Sequence, residues 1–123
     1  NNKEVFINGD GETSRDFCFL ENTVQMNILA AIASDEVKNN VYNVAVGDRT
    51  TLNTLYKSLQ HSLRVNGIEN QTAPTYREFR VGDVRHSQAE VSKAKNLLGY
   101  EPEYRIQQGV DKAMPWYIKF MEN

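Results

Sequence analysis

Leu52, Leu55, Tyr56, Leu59 and Leu63 recur at i, i+3, i+4, i+7 and i+11, the rhythm of one face of an α-helix. Thr51 stands where its hydroxyl can cap the first turn, and Asn66-Gly67 supplies a C-terminal stop. A helix with one apolar stripe has to lay that stripe on another layer. The segments around it read as short strands. Val5-Phe6-Ile7 is ended by the turn chemistry of Asn8-Gly9-Asp10-Gly11, Val41 to Val46 alternates up to Gly47-Asp48, and residues 75–81 alternate charge with apolarity.

Three further helices follow from periodicity and end signals. Asn22 fits an N-cap with Gln25 closing a capping box, and Val24, Ile28, Ala31 and Ile32 form one face. Ser87-Gln88-Ala89-Glu90 reads as the capping box of a third helix, with Val91, Ala94, Leu97 and Leu98 inward and Gly99 just past its end. The last helix runs over residues 106–120, and Pro115 predicts a kink or a break inside it. Strands separated by helices give an α/β chain with some parallel pairing. The strands are few and short, so residues 1–123 read as one small domain of short strands and about four helices, a satellite rather than a complete doubly wound sheet.

Composition narrows the function. Hydrophobic residues make up 40% and charged residues 24%, as in an ordinary globular chain. A net charge of −2 argues against nucleic acid, which needs a basic face. There is no apolar run near membrane-spanning length and no signal-like start. The lone Cys18 allows no internal disulfide, fits a reducing, cytoplasmic setting, and reads as a buried inert thiol in the apolar run Phe17 to Leu20. His61 and His86 are far apart with no cysteine cluster, which makes a zinc site improbable.

Chemistry concentrates in Arg80-Val81-Gly82-Asp83-Val84-Arg85-His86-Ser87. Arginines can fork onto phosphate oxygens, an Asp can accept from a ribose diol, and a small terminal residue leaves room beside them. That combination points to a nucleotide diphosphate carrying a sizeable group. The competing reading is a solvated charged loop leading into a helix. Catalytic signals are missing. The seven glycines make no dinucleotide fingerprint, no Tyr is followed four residues later by Lys, and there is no P-loop, nucleophile elbow or Ser-His-Asp set. The chain carries binding residues without catalytic ones.

Several segments, in order, resemble the extended short-chain dehydrogenases that act on nucleotide sugars. They are Gly9-Asp10-Gly11 with Ser14-Arg15-Asp16-Phe17 and Glu21-Asn22, then Tyr42 to Gly47, then Arg80-Val81-Gly82-Asp83. Ser92-Lys93-Ala94, Leu97 to Pro102, Gly109-Val110 and Trp116-Tyr117 continue the series. The runs Phe6 to Cys18, Gly82 to Ser87 and Ala113 to Tyr117 are most similar to the UDP-N-acetylglucosamine 4-epimerase branch of the UDP-glucose 4-epimerase family.

The resemblance implies a C-terminal substrate-binding part of a larger enzyme. NAD would sit on an absent N-terminal domain, together with the Tyr-Lys dyad, and the whole protein would be a homodimer. This chain alone would be inactive. It further implies that Arg15 and Arg80 contact the pyrophosphate, Asp83 the ribose, and the strand Val5, Phe6, Ile7 the uracil through its backbone. Ser87 stands where a large aromatic residue would exclude a C2 substituent on the sugar, so a UDP-N-acetylhexosamine is implied. Asn43 reads as structural; Arg85 and His86 receive no catalytic role. Three readings follow: this epimerase, a related enzyme such as a UDP-glucose epimerase or NDP-sugar dehydratase, or a non-catalytic binding module. Apolar surface left exposed for a missing domain would speak against the last.

Overall fold

A computed structural model describes residues 3–69 and 72–121. Along the chain these form β1 (Phe6–Asn8), β2 (Ser14–Arg15), α1 (Leu20–Ile32), β3 (Thr50–Thr51), α2 (Leu52–Val65), β4 (Thr75–Arg77), α3 (Ser92–Leu98) and α4 (Ile106–Met121). The α/β class with four helices and a few short strands is as read from the sequence. β1 pairs in parallel with β4, Phe6 opposite Thr75, and β2 pairs antiparallel with β3, Ser14 opposite Thr51.

α2 forms where its local signals place it. The Thr51 hydroxyl accepts from the Thr54 amide at 3.1 Å. At the other end Gly67 adopts φ +80°, and the Ile68 amide closes a bond to the Leu63 carbonyl at 3.0 Å. α2 packs against α4. Gly99 likewise ends α3 in the left-handed region, φ +67°.

The core lies between α1, α3 and the segment after α1. Met26, Ala94 and Tyr100 are buried together, with Leu29, Tyr42, Val44 and Leu98 against them. The expected strand 41–46 is irregular there. Among the described residues no strand lies alongside it, and side chains stand in for a ladder. Asp16 accepts the amides of Val46 (3.0 Å) and Gly47 (2.9 Å), and the Tyr100 hydroxyl donates to the Ala45 carbonyl at 2.8 Å.

Asn22 does not cap α1, which already begins at Leu20 after an uncapped Phe19. It is fully buried instead and binds the backbone of Tyr104 twice. Its Nδ2 donates to the carbonyl at 2.8 Å and its Oδ1 accepts the amide at 3.0 Å. The Phe19 and Tyr104 rings meet edge-on at 5.3 Å, and Lys112 on α4 reaches Glu21 at 2.8 Å. Gly109 makes this close approach possible, since a Cβ there would lie 2.8 Å from the Phe19 Cβ. α4 runs through Pro115 as one helix, not as two shorter ones.

The face of α1 that periodicity turns inward points outward. Leu20, Val24, Ile28 and Ile32 are 46 to 75% exposed, while Asn22 and Met26 face the core. The helix is apolar on both sides, and periodicity alone cannot choose between them. Leu97, also expected inside, is exposed. Replacing Ile28 and Ile32 by serine is therefore expected to change the chain's own unfolding free energy by no more than about 0.5 kcal/mol each, read by urea titration. A loss of ~2 kcal/mol or more would mean that the stripe is covered within the chain. No helix among the described residues is long and apolar enough to cross a membrane.

Candidate functional site

The site is built on β2. One edge of this short strand pairs with β3. Along the other edge runs residues 85–87, joined by a parallel bridge between Ser14 and His86. The Ser14 amide donates to the Arg85 carbonyl at 3.0 Å, and the Ser87 amide donates to the Ser14 carbonyl at 3.1 Å. This bridge overrides the expected capping box. The Ser87 amide is committed to Ser14, and α3 starts at Ser92 after Val91. The Glu90 carboxylate serves the Ser92 amide at 2.8 Å instead.

Side chains alternate across an extended backbone. Ser14 and His86 share one face of the bridge, and the Ser14 hydroxyl lies 2.9 Å from His86 Nδ1. Arg15 and Ser87, one step on, are neighbours on the opposite face. Arg15 forms an ion pair with Asp83, and its Nη1 donates to the Ser14 carbonyl at 2.8 Å. Asp83 follows a turn in which its amide donates to the Arg80 carbonyl at 3.2 Å and Gly82 takes φ +79°. Arg80 and Asp83 thus straddle one turn. Arg80 is exposed, and among the described residues its side chain has no hydrogen-bond or ion-pair partner.

The remaining charges of the loop are compensated. Arg85 binds Asp10 at 2.6 Å and lies over the Phe79 ring. The hydrogen bond from Arg85, reinforced by the Glu12 amide, holds the Asp10 carboxyl below its ordinary range. With Arg15 facing Asp83 and Arg85 facing Asp10, Arg80 is the uncompensated cation of residues 80–87.

β4 covers only Thr75–Arg77 of the expected 75–81 strand, because its partner β1 is three residues long and the chain turns away afterwards. The Val5 carbonyl accepts from Thr75 at 2.9 Å, and the Gly9 amide donates to Arg77 at 2.8 Å. In a parallel ladder alternate residues turn their amides to opposite edges. Residues 5, 7 and 9 therefore face β4, and the Phe6 amide and carbonyl face the other edge, which no described strand occupies. The Arg77 guanidinium stacks over the Phe6 ring at 3.1 Å, and Ile7 is buried.

Two residues in this region are read in the sequence only as part of a motif, with no role of their own. Ser14 touches Arg15, His86 and Ser87. Asp16 accepts from Ala89 at 3.3 Å as well as from Val46 and Gly47, tying the far end of the loop to the core. Cys18 is half-buried, 3.7 Å from the Thr23 hydroxyl. Asn43 donates to the Glu90 carbonyl at 3.0 Å.

Residues 1–113 match the family model described as GDP-mannose 4,6 dehydratase. A relative from Methanocaldococcus jannaschii, described as a putative UDP-glucose 4-epimerase, is 27% identical over 94% of this chain and 34% of its own length. The solved UDP-glucose 4-epimerase of Thermotoga maritima, with UDP-glucose, superposes with a TM-score of 0.83 at 35% identity, covering 98% of this chain and 36% of that one. The UDP-N-acetylglucosamine 4-epimerase of Methanobrevibacter ruminantium, in complex with UDP-N-acetylmuramic acid, gives 0.83 at 30% identity, covering 97% and 36%. The chain spans about a third of the length of these relatives. With a family match over residues 1–113, the chain belongs to the GDP-mannose 4,6 dehydratase family, among the extended short-chain dehydrogenases.

Proposed function

We propose that the chain is the substrate-binding domain of an NAD-dependent UDP-N-acetylhexosamine C4 epimerase and grips the UDP while the hexose turns. The observation that carries this reading is the meeting of Arg15, Asp83 and Arg80 at one turn beside β2. The Arg15–Asp83 pair is partly exposed, 29% and 40%, so little energy holds it closed. Its second carboxylate oxygen can accept a ribose hydroxyl, and the remaining guanidinium N–H groups can meet a phosphate. Arg80 adds the uncompensated positive charge that a diphosphate needs. The free amide and carbonyl of Phe6 match the acceptor and donor of a uracil edge, so Phe6 rather than Val5 or Ile7 supplies that contact. Ser87, on the Arg15 face of the bridge, leaves space for a 2-acetamido group.

The residues present do not fit NAD. The helices follow Phe19, Thr51, Val91 and Arg105, none of them a glycine turn that could cradle a pyrophosphate. We assign the cofactor and the reacting base to residues outside this chain. The exposed stripe of α1 favours an enzyme domain packed on another part over a free-standing module.

The higher identity to a UDP-glucose 4-epimerase supports a second reading, the same domain acting on UDP-glucose. Calorimetric titration tests both. UDP and UDP-N-acetylglucosamine should saturate the chain, and free N-acetylglucosamine should not bind. Ser87→Tyr should weaken UDP-N-acetylglucosamine while sparing UDP-glucose. Equal effects on both sugars would remove Ser87 from recognition of the acetamido group, tighter binding of UDP-glucose than of UDP-N-acetylglucosamine by the unaltered chain would favour the UDP-glucose reading, and no response to any nucleotide would end both.

A further inference from the structure

The bridge that presents Arg15 and Ser87 has a back face. Ser14 is only 4% exposed, and its hydroxyl hydrogen has to find an acceptor. Among the described residues the atom in reach is His86 Nδ1, 2.9 Å away. The hydroxyl therefore donates and Nδ1 accepts, which leaves the ring proton on Nε2. His86 is exposed, so water can serve that second nitrogen. The backbone of the same serine already holds Arg85 and Ser87 on either side of this histidine. A one-residue slip of residues 85–87 along β2 would turn Ser87 to the back and His86 to the front. A backbone bridge of two hydrogen bonds does not by itself forbid that slip. The side-chain bond biases the register against it, because a slip exchanges the fixed imidazole acceptor for the freely rotating Ser87 hydroxyl in one direction and for Arg85, which has no side-chain acceptor, in the other.

We propose that Ser14 and His86 form a register latch, positioning residues that keep Ser87 and Arg15 on the ligand face without touching the ligand themselves. The proposal rests on the UDP-sugar reading for its functional consequence, and on the ring geometry alone for the latch.

The test joins a long-range ¹H–¹⁵N spectrum of the histidine rings with titration by UDP. His61 and His86 are the only histidines, so the two rings are readily told apart. In the unaltered chain His86 should be in the Nε2–H tautomer. Ser14→Ala should replace it by a mixture and weaken UDP about tenfold, the size of one lost hydrogen bond's worth of ordering. Ser14→Thr should restore both. The exposed ring keeps water as a partner in Ser14→Ala, so the variant should fold, with dispersed amide signals.

An Nδ1–H tautomer in the unaltered chain, or a tautomer that ignores Ser14→Ala, overturns the latch. A tautomer that responds while UDP binds Ser14→Ala as tightly as before overturns the positioning role. An unaltered chain that shows the tautomer but does not bind UDP overturns the functional reading and the positioning role with it, and leaves the ring assignment standing. The failures of the two ideas are thus separate results.

Discussion

Replacing Asn22 with leucine is expected to remove about 3 kcal/mol of stability. Leucine has the same number and branching of side-chain heavy atoms as asparagine, so the change opens no cavity. What it removes is both side-chain partners of one backbone unit, the Tyr104 amide and the Tyr104 carbonyl. Each would be left facing an apolar side chain at the fully buried position 22, and each orphaned group costs about 1–3 kcal/mol. Those two bonds also set where residues 104 and 105 enter α4, so the Phe19–Tyr104 contact should loosen with them. The change should appear in urea unfolding as a lower midpoint at unchanged slope, and in heating as a fall on the order of 10 °C. A loss under about 1 kcal/mol would show that another group takes over at Tyr104.

Arg80→Ala is expected to weaken UDP by roughly 10- to 100-fold, the worth of charge-assisted hydrogen bonds to phosphate, and to leave stability within about 0.5 kcal/mol. The separation follows from the contacts. Arg80 has no side-chain partner among the described residues, so its removal orphans nothing, whereas Arg15→Ala would also release Asp83. Arg80→Lys should recover part of the affinity, because lysine keeps the charge and loses the planar fork. The loss should shrink at high salt, as for any exposed cation facing an anion. Calorimetry on the two variants decides it, and UDP affinity unchanged in Arg80→Ala would remove Arg80 from the site.

What could be read from the sequence was what neighbours along the chain decide. α2 carries its own cap, stripe and stop within residues 51–68, and it folds as those signals direct. The misread elements all answer to distant partners. Residues 41–46 alternate like a strand, but Asp16 and Tyr100 satisfy their amides and carbonyls. Asn22 has the chemistry of a cap and spends it on Tyr104, and Ser87 likewise gives its amide to Ser14. At the site, the charges of residues 80–87 stood out, but the turn from Arg80 to Asp83 did not, because the strand reading ran on through Val81. The pairing of Asp83 with Arg15 spans 68 positions and has no local signature. Ser14 could have been found only by recognising Thr13-Ser14-Arg15 as a strand, and two residues of strand are too few for alternation to show.

Arg15 and Asp16 are adjacent, and they hold the two ends of one loop. Arg15 reaches forward to Asp83, and Asp16 reaches back to the Ala89 amide. The intervening residues are closed at both ends by two adjacent residues at the end of β2, so their closure entropy is met during folding rather than at encounter with a ligand. A nucleotide arriving there meets a surface whose shape is already chosen, and its association should resemble docking more than folding. The amides of Val46, Gly47 and Ala89, all held by one carboxylate, should then exchange with solvent together and slow little when UDP is added.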